Sequence, residues 1–223
     1  MVLDFRKHVA PQIPFWTADG TVNLADLRPE NLTAEILADA LAKTNRFSGR
    51  TPLPWPVTSH SVLVEGLVQA EHGPWAILHD AHEVFVGDIT TPAVELIALS
   101  APAGVIEDAI ARAKGRVDRA IARAWQVPPR SLSYAIRHAD RLALLAEAIV
   151  FMGVQPQFLE PGDEEDVDRA ISLLREMPSG EDWRASRDLW LSRVEHYSHL
   201  GRMSPPKPPA GTAPAFTPTE RKN

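Results

Sequence analysis

The chain has 223 residues, 44% of them hydrophobic, no cysteine, and a formal net charge of −6 at pH 7. That length suits one large domain or two small ones with a real core, and the lack of cysteine excludes disulfides, thiolate metal sites and a cysteine nucleophile. The acidic balance argues against broad binding to a nucleic acid polymer.

From the N-terminus, "MVLDFRKHVAPQIPFW" carries charges where a signal peptide needs an apolar stretch. With no run of about 18 apolar residues to span a bilayer, the expected location is cytoplasmic, with no membrane partner. Residues 1–31 mix Pro, Gly and short β-like pieces, and "FWTADGTVNL" predicts a small hairpin around Asp19-Gly20. Asn31 or Thr33 caps a helix whose apolar positions are Leu32, Ile36, Leu37, Ala40 and Leu41. "NRFSGRTPLPWP" (45–56) breaks the helical period, which returns from Val57 to about Glu71. Gly73-Pro74 ends that helix and starts one carrying His79-Asp80. Pro92 opens a short helix reaching Leu99, and longer helices are expected over roughly 103–125 and 131–152, the latter stopped by Gly153. Two more are expected over 164–177 and 182–200. There is no βα alternation and no repeat. The reading is all-α, a single domain over 1–203 followed by a disordered or surface-draped Pro-rich tail over 204–223.

Polar residues inside the apolar runs carry the functional argument. His60 in "VTSHSVLV", His79 and Asp80 in "AILHDAHEVF" and Asp140 in "AIRHADRLALL" all sit where a buried ion or imidazole costs several kcal/mol unless paired. Two imidazoles and two carboxylates make a site for a divalent metal ion, with positions left for water and substrate. Without a metal, these carboxylates would need Arg partners in the core. An HD dipeptide alone means little; the joint pattern H…HD…D, each member in an apolar helix, is far more specific.

With "RF…SHS" (46–61), "ILHDAHE" (77–83), "GDITTP" (87–92) and "HADRLALLAE" (138–147), the chain resembles the HD-domain metal-dependent phosphohydrolases, most of all their YfbR-like 5′-nucleotidase branch. The resemblance covers roughly residues 33–155 and implies an HD-domain helical bundle. It implies metal ligation by His60, His79, Asp80 and Asp140, the ion being Mn, Co, Mg, Fe or Zn. It further implies that Glu83 orients or deprotonates the attacking water, that Asp88 acts near the leaving oxygen and that Arg46 binds phosphate. The residue after that Arg is Trp in the nucleotidase branch and Phe47 here, which keeps an aromatic face for the sugar or base. The residue chemistry agrees: Glu83 is four residues from His79, on the same face of a helix, a carboxylate beside activated water is a general base, and Arg offers a planar fork to phosphate.

Bland alternatives stand beside these. His82 is expected at the surface or behind the ligands, and His138 facing solvent. Trp55 more often packs a Pro-rich loop than stacks on a base. Glu147, in an apolar helix, is expected in a structural ion pair with an Arg. Arg50 rivals Arg46 for phosphate, while Arg6, Lys7, Lys43 and Arg50 are the basic residues that would favour a longer phosphate chain. The expected function is a phosphohydrolase releasing phosphate from nucleoside 5′-monophosphates, a small-molecule nucleotide substrate, with homo-oligomerisation compatible. The alternatives are a deoxynucleoside triphosphate triphosphohydrolase of the same fold and a non-catalytic helical binding module.

Overall fold

The computed structural model describes residues 11–17, 20–129, 133–155, 162–178 and 181–208. At its centre lies α2 (Val57–Leu67), in which every residue from Val57 to Glu65 is buried. A helix apolar on one stripe needs one neighbour, whereas one buried all round must be enclosed. Around it stand α1 (Ala34–Leu41), α7 (Tyr134–Met152), α8 (Glu164–Glu176) and α9 (Trp183–His199). The long α6 (Val105–Trp125) packs over α4 (Glu83–Val86) and α5 (Thr91–Ala98). Fully buried Leu37, Leu41, Leu63, Ile77, Leu78, Ile121, Trp125 and Trp190 fill the space between them.

Four polar residues of α2, Thr58, Ser59, His60 and Glu65, find partners on α9 and α7. Thr58 and Ser59 hydroxyls bond Ser186 Oγ. Glu65 accepts from Arg193 (Nη2 2.7 Å) and from the Tyr197 hydroxyl (2.5 Å). Removing a donor would leave a buried carboxylate short of partners, so α9 is held in one register on α2.

The N-terminal hairpin appears as β1 (Pro14–Thr17) and β2 (Gly20–Asn23), antiparallel with Phe15 opposite Val22; Asp19 lies outside the described residues. Thr33 caps α1 and Gly153, at φ 65°, stops α7, both as expected. α2 ends at Leu67, short of Glu71, because Val68 turns extended.

The stretch carrying His79-Asp80 is not a continuous helix. α3 (Gly73–Ala76) stops after one turn, tight turns follow, and α4 begins at Glu83. The amides of Leu78, Ala81, Glu83 and Val84 bond carbonyls three residues back rather than four. Side chains occupy the carbonyls that a straight helix would use: His79 Nδ1 lies 2.7 Å from Ala76 O, and Trp190 Nε1 donates to Ile77 O at 3.0 Å. Such side-chain bonds compete with the helical ladder. The expected i, i+4 alignment of His79 and Glu83 is therefore replaced by a three-residue winding.

At the other end, Met203 is buried and the Ser204 amide donates to Trp125 O at 2.8 Å. Residues 204–208 thus run on the surface from a fixed start, while 209–223, the rest of the Pro-rich tail, lie outside the described residues.

Gly73 is where α3 meets α9: a Cβ there would fall 1.8 Å from the Tyr197 hydroxyl and 2.3 Å from its ring carbon Cζ. Gly73→Ala should lower stability by about 1–3 kcal/mol, the usual cost of overpacking. Urea unfolding would check it, with a lower midpoint and an unchanged slope.

Candidate metal centre

Asp140 and Glu147 are seven residues apart on α7, two turns, and so share a face. That face meets His60 on α2. Glu147 Oε1 lies 2.7 Å from His60 Nδ1, and Asp140 Oδ1 lies 3.0 Å from His60 Nε2. Across from them, His79 is turned so that its Nδ1 is held by Ala76 O at 2.7 Å. Its Nε2 stands 3.2 Å from Asp80 Oδ2 and 3.9 Å from Asp140 Oδ1, without the alignment of a hydrogen bond. His60 Nε2 is 3.6 Å from Asp80 Oδ2, and the two imidazole rings are 5.3 Å apart. Of the four expected ligands, His60, His79 and Asp140 therefore converge on one point, while Asp80 lies within 3.6 Å of both imidazoles and groups with His82 and Glu83.

Both imidazoles are fixed through Nδ1 by an oxygen acceptor. In the neutral tautomer this leaves each Nε2 lone pair facing carboxylate oxygens, an arrangement that repels unless positive charge stands between. A proton can supply it: the charge of Asp80, opposing the effect of burial, pushes His79 up to about 9. Burial and Arg46 oppose charge on His60, yet Glu147 and Asp140 together raise its pKa. A divalent ion supplies the charge without those protons, and imidazoles braced at Nδ1 by a carboxylate or carbonyl are the usual form of metal-ligating histidine. The His/Asp group could hold a metal ion.

Asp80 stays ionised well below the usual carboxylate range, burial being outweighed by His79, His60 and Arg46. Asp140 is lowered by the His60 hydrogen bond despite burial. Its side chain is 44% exposed, which places the mouth of the site there.

Glu147 has no exposed surface and takes three donors: His60 Nδ1, Trp55 Nε1 at 2.8 Å and Arg46 Nε at 2.9 Å. The expected ion pair with an Arg is present, but sequence reasoning missed that the same carboxylate orients His60. Trp55 is 3% exposed and packs against Phe151, so the packing role holds and stacking on a base does not. The loop over 45–56 is closed by Arg46 N to Trp55 O (2.9 Å) and Val57 N to Thr44 O (2.9 Å). This closure brings Arg46 and Trp55 to the same carboxylate.

Arg46 also places Nη1 3.7 Å from Asp80 Oδ2, and Glu147 and Asp80 outweigh burial to raise its pKa. Phe47 is half-buried with its ring 5.7 Å from the Arg46 guanidinium. Phe47 and Ser48 both take positive φ (54° and 52°), a conformation costly for side-chain-bearing residues and commonest at functional sites. Glu83 is buried with Oε2 unpartnered. Burial, with Asp80 and Asp88 adding, pushes it up to about 9. Asp88, between α4 and α5, is raised mainly by burial.

Of the two places expected for His82, the surface is ruled out: it is 6% exposed, with Nδ1 3.0 Å from Asp118 Oδ1 on α6. It pins the turn segment to α6 rather than facing solvent. His138 is half-buried and stacks on Tyr134 outside the site. Lys43 lies over the Trp183 ring and 3.8 Å from Asp39, Arg50 is exposed, and Arg6 and Lys7 fall outside the described residues.

No family model matches the chain. It is 26% identical over 121 residues to a curated protein of Escherichia coli (strain K12) named "Uncharacterized protein YfdR". The alignment covers 54% of this chain and 62% of that protein, so the chain spans less than two thirds of the relative's length.

Because a bound ion must displace imidazole protons, affinity for Mn²⁺ or Zn²⁺ should rise as pH climbs from the ordinary imidazole value of about 6.5 toward about 9. Calorimetry in buffers of different ionisation enthalpy would count the released protons; pH-independent affinity would contradict the site. Asp80→Ala and Asp140→Ala should abolish uptake. Glu147→Gln should weaken it about 10- to 100-fold, as loss of a histidine-orienting carboxylate does. Metal analysis after gel filtration reads each variant.

Proposed function

We propose that the chain is a divalent-metal-dependent phosphohydrolase of the HD-domain type acting on nucleotides, foremost on nucleoside 5′-monophosphates. The observation that carries this reading is the pair of Nδ1-braced imidazoles, His60 and His79, whose Nε2 atoms face Asp80 and Asp140. A divalent ion held by these four would polarise a phosphoryl oxygen and make water more acidic.

The protein groups around that point divide the remaining work. Glu83, three residues after Asp80 in the tight winding, has a buried unpartnered oxygen with which to take the proton of an attacking water. Burial, Asp80 and Asp88 raise its pKa and favour its protonated form, and positive charge brought to the site would free it to act as a base. Asp88, also raised, is suited to return a proton to the leaving oxygen. Arg46, fixed at Nε by Glu147, keeps Nη1 on the site side for phosphate oxygens, so its geometry is set before substrate arrives. Phe47 offers its half-buried ring beside that guanidinium to the sugar or base.

A phosphate-release screen over nucleoside mono-, di- and triphosphates, with Mn²⁺, Co²⁺, Mg²⁺ and chelator, should give metal-dependent release, strongest from monophosphates. Release from none of them overturns the reading. Triphosphate cleaved to nucleoside and inorganic tripolyphosphate would replace it with the triphosphohydrolase alternative.

Glu83→Ala should keep its metal and lose at least about 100-fold in turnover, the scale of general-base catalysis. Arg46→Lys should impair every nucleotide alike, because an ammonium cannot reproduce the guanidinium geometry. Phe47→Ala should change discrimination among nucleosides by the roughly 1–3 kcal/mol typical of ring–base stacking. Its effect on a small generic phosphoester should be smaller; equal losses on both would make Phe47 a packing residue.

A further inference from the structure

Five carboxyl groups, those of Asp80, Glu83, Asp88, Asp140 and Glu147, act on Arg46 or on one another around the candidate metal ligands. Even with Glu83 protonated, a divalent ion and Arg46 offset three of the other four charges, so an incoming phosphate dianion still meets a negative surplus. Another cation within reach of the site would change that balance.

Lys114 is placed to be that cation. It lies on α6 four residues before Asp118, and residues so spaced share a helix face. Asp118 on that face bonds His82 in the segment between His79 and Glu83. Lys114 is half-buried, and among the described residues no carboxylate lies within ion-pairing distance of it. Its charge nonetheless reaches both Glu83 and Asp88, lowering each against the push of burial. A half-buried ammonium on the α6 face that meets the His82 segment, paired to no carboxylate among the described residues, has donors left for something else. The other basic residues considered are spent or remote: Lys43 on Asp39 and Trp183, Arg112 on Asp108, Arg141 on Asp163.

We propose that Lys114 contacts substrate, donating from the α6 side to a non-bridging phosphate oxygen. It thereby favours a terminal phosphate dianion over a singly charged phosphodiester. The inference rests on the phosphohydrolase reading for its substrate, and inorganic phosphate tests it separately from turnover.

The experiment takes the full chain loaded with Mn²⁺ as wild type, Lys114→Met and Lys114→Arg. Calorimetry measures binding of inorganic phosphate, and kinetics compare a nucleoside 5′-monophosphate with a dinucleoside phosphodiester. Lys114→Met should weaken phosphate binding about 10-fold or more, the value of a charge-assisted hydrogen bond, and Lys114→Arg should recover most of it. KM for the monophosphate should rise more than kcat falls, and preference over the diester should shrink. Metal content and melting temperature should hold, since Lys114 makes no ion pair among the described residues.

Equal phosphate affinity in wild type and Lys114→Met overturns the inference and leaves hydrolysis standing. Lys114-dependent phosphate binding by a wild type that hydrolyses no nucleotide overturns the hydrolase reading and keeps Lys114 as an anion contact. A wild type that binds no phosphate overturns the inference outright.

Discussion

A single buried carboxylate organises this molecule. Glu147 lies in the core with no exposed surface and takes hydrogen bonds from Arg46, Trp55 and His60. These donors come from the 45–56 loop and from α2, and Glu147 itself from α7. Burying a carboxylate carries a large desolvation cost that falls to a tolerable level only with several good donors. His60 first and Arg46 second hold it below the usual glutamate range even though burial acts the other way. Moving any one of the three elements would strand a charge. The relative placement of loop, α2 and α7 is therefore tightly specified, and so is the spacing of Arg46, His60 and Asp140.

The same bond links scaffold and chemistry. By occupying His60 Nδ1, Glu147 decides that Nε2 is the nitrogen presented to Asp80 and Asp140. The His79 ring is set by a different device, a backbone carbonyl freed because the segment after α3 winds tightly. Two unrelated local structures thus produce matched imidazole orientations, with the exposed side of Asp140 as the opening.

Much of this was legible in the sequence. The 3.6-residue period, the Thr33 cap, Pro92 and Gly153 located the long helices because these signals act locally. His60, His79, Asp80 and Asp140 stood out because each interrupts an apolar run, and a polar group kept there needs a partner. The break after Ala76 was not legible, since Trp190, whose indole takes the Ile77 carbonyl, is 113 residues away along the chain. Nor was the second duty of Glu147, which depends on how closely α7 approaches α2. His82 was left between the surface and a place behind the ligands, because its partner Asp118 comes from α6, 36 residues on. Lys114 gave no signal, because a lysine on an amphipathic helix is ordinary until the neighbouring carboxylates are in view.

Trp55 has an optical consequence. Of the chain's six tryptophans, Trp16 is 86% exposed and emits from water, whereas Trp55, Trp75, Trp125 and Trp190 are buried. The indoles of Trp125 and Trp190 donate to the backbone carbonyls of Leu32 and Ile77, which carry no titrating charge themselves. Trp55 donates instead to the oxygen of Glu147 that also meets His60 Nδ1. Indole excited states respond strongly to nearby charge. A change of proton or ion at His60 Nε2 is therefore relayed through one imidazole and one carboxylate to a single buried chromophore. The protein carries its own fluorescent gauge of the state of its site.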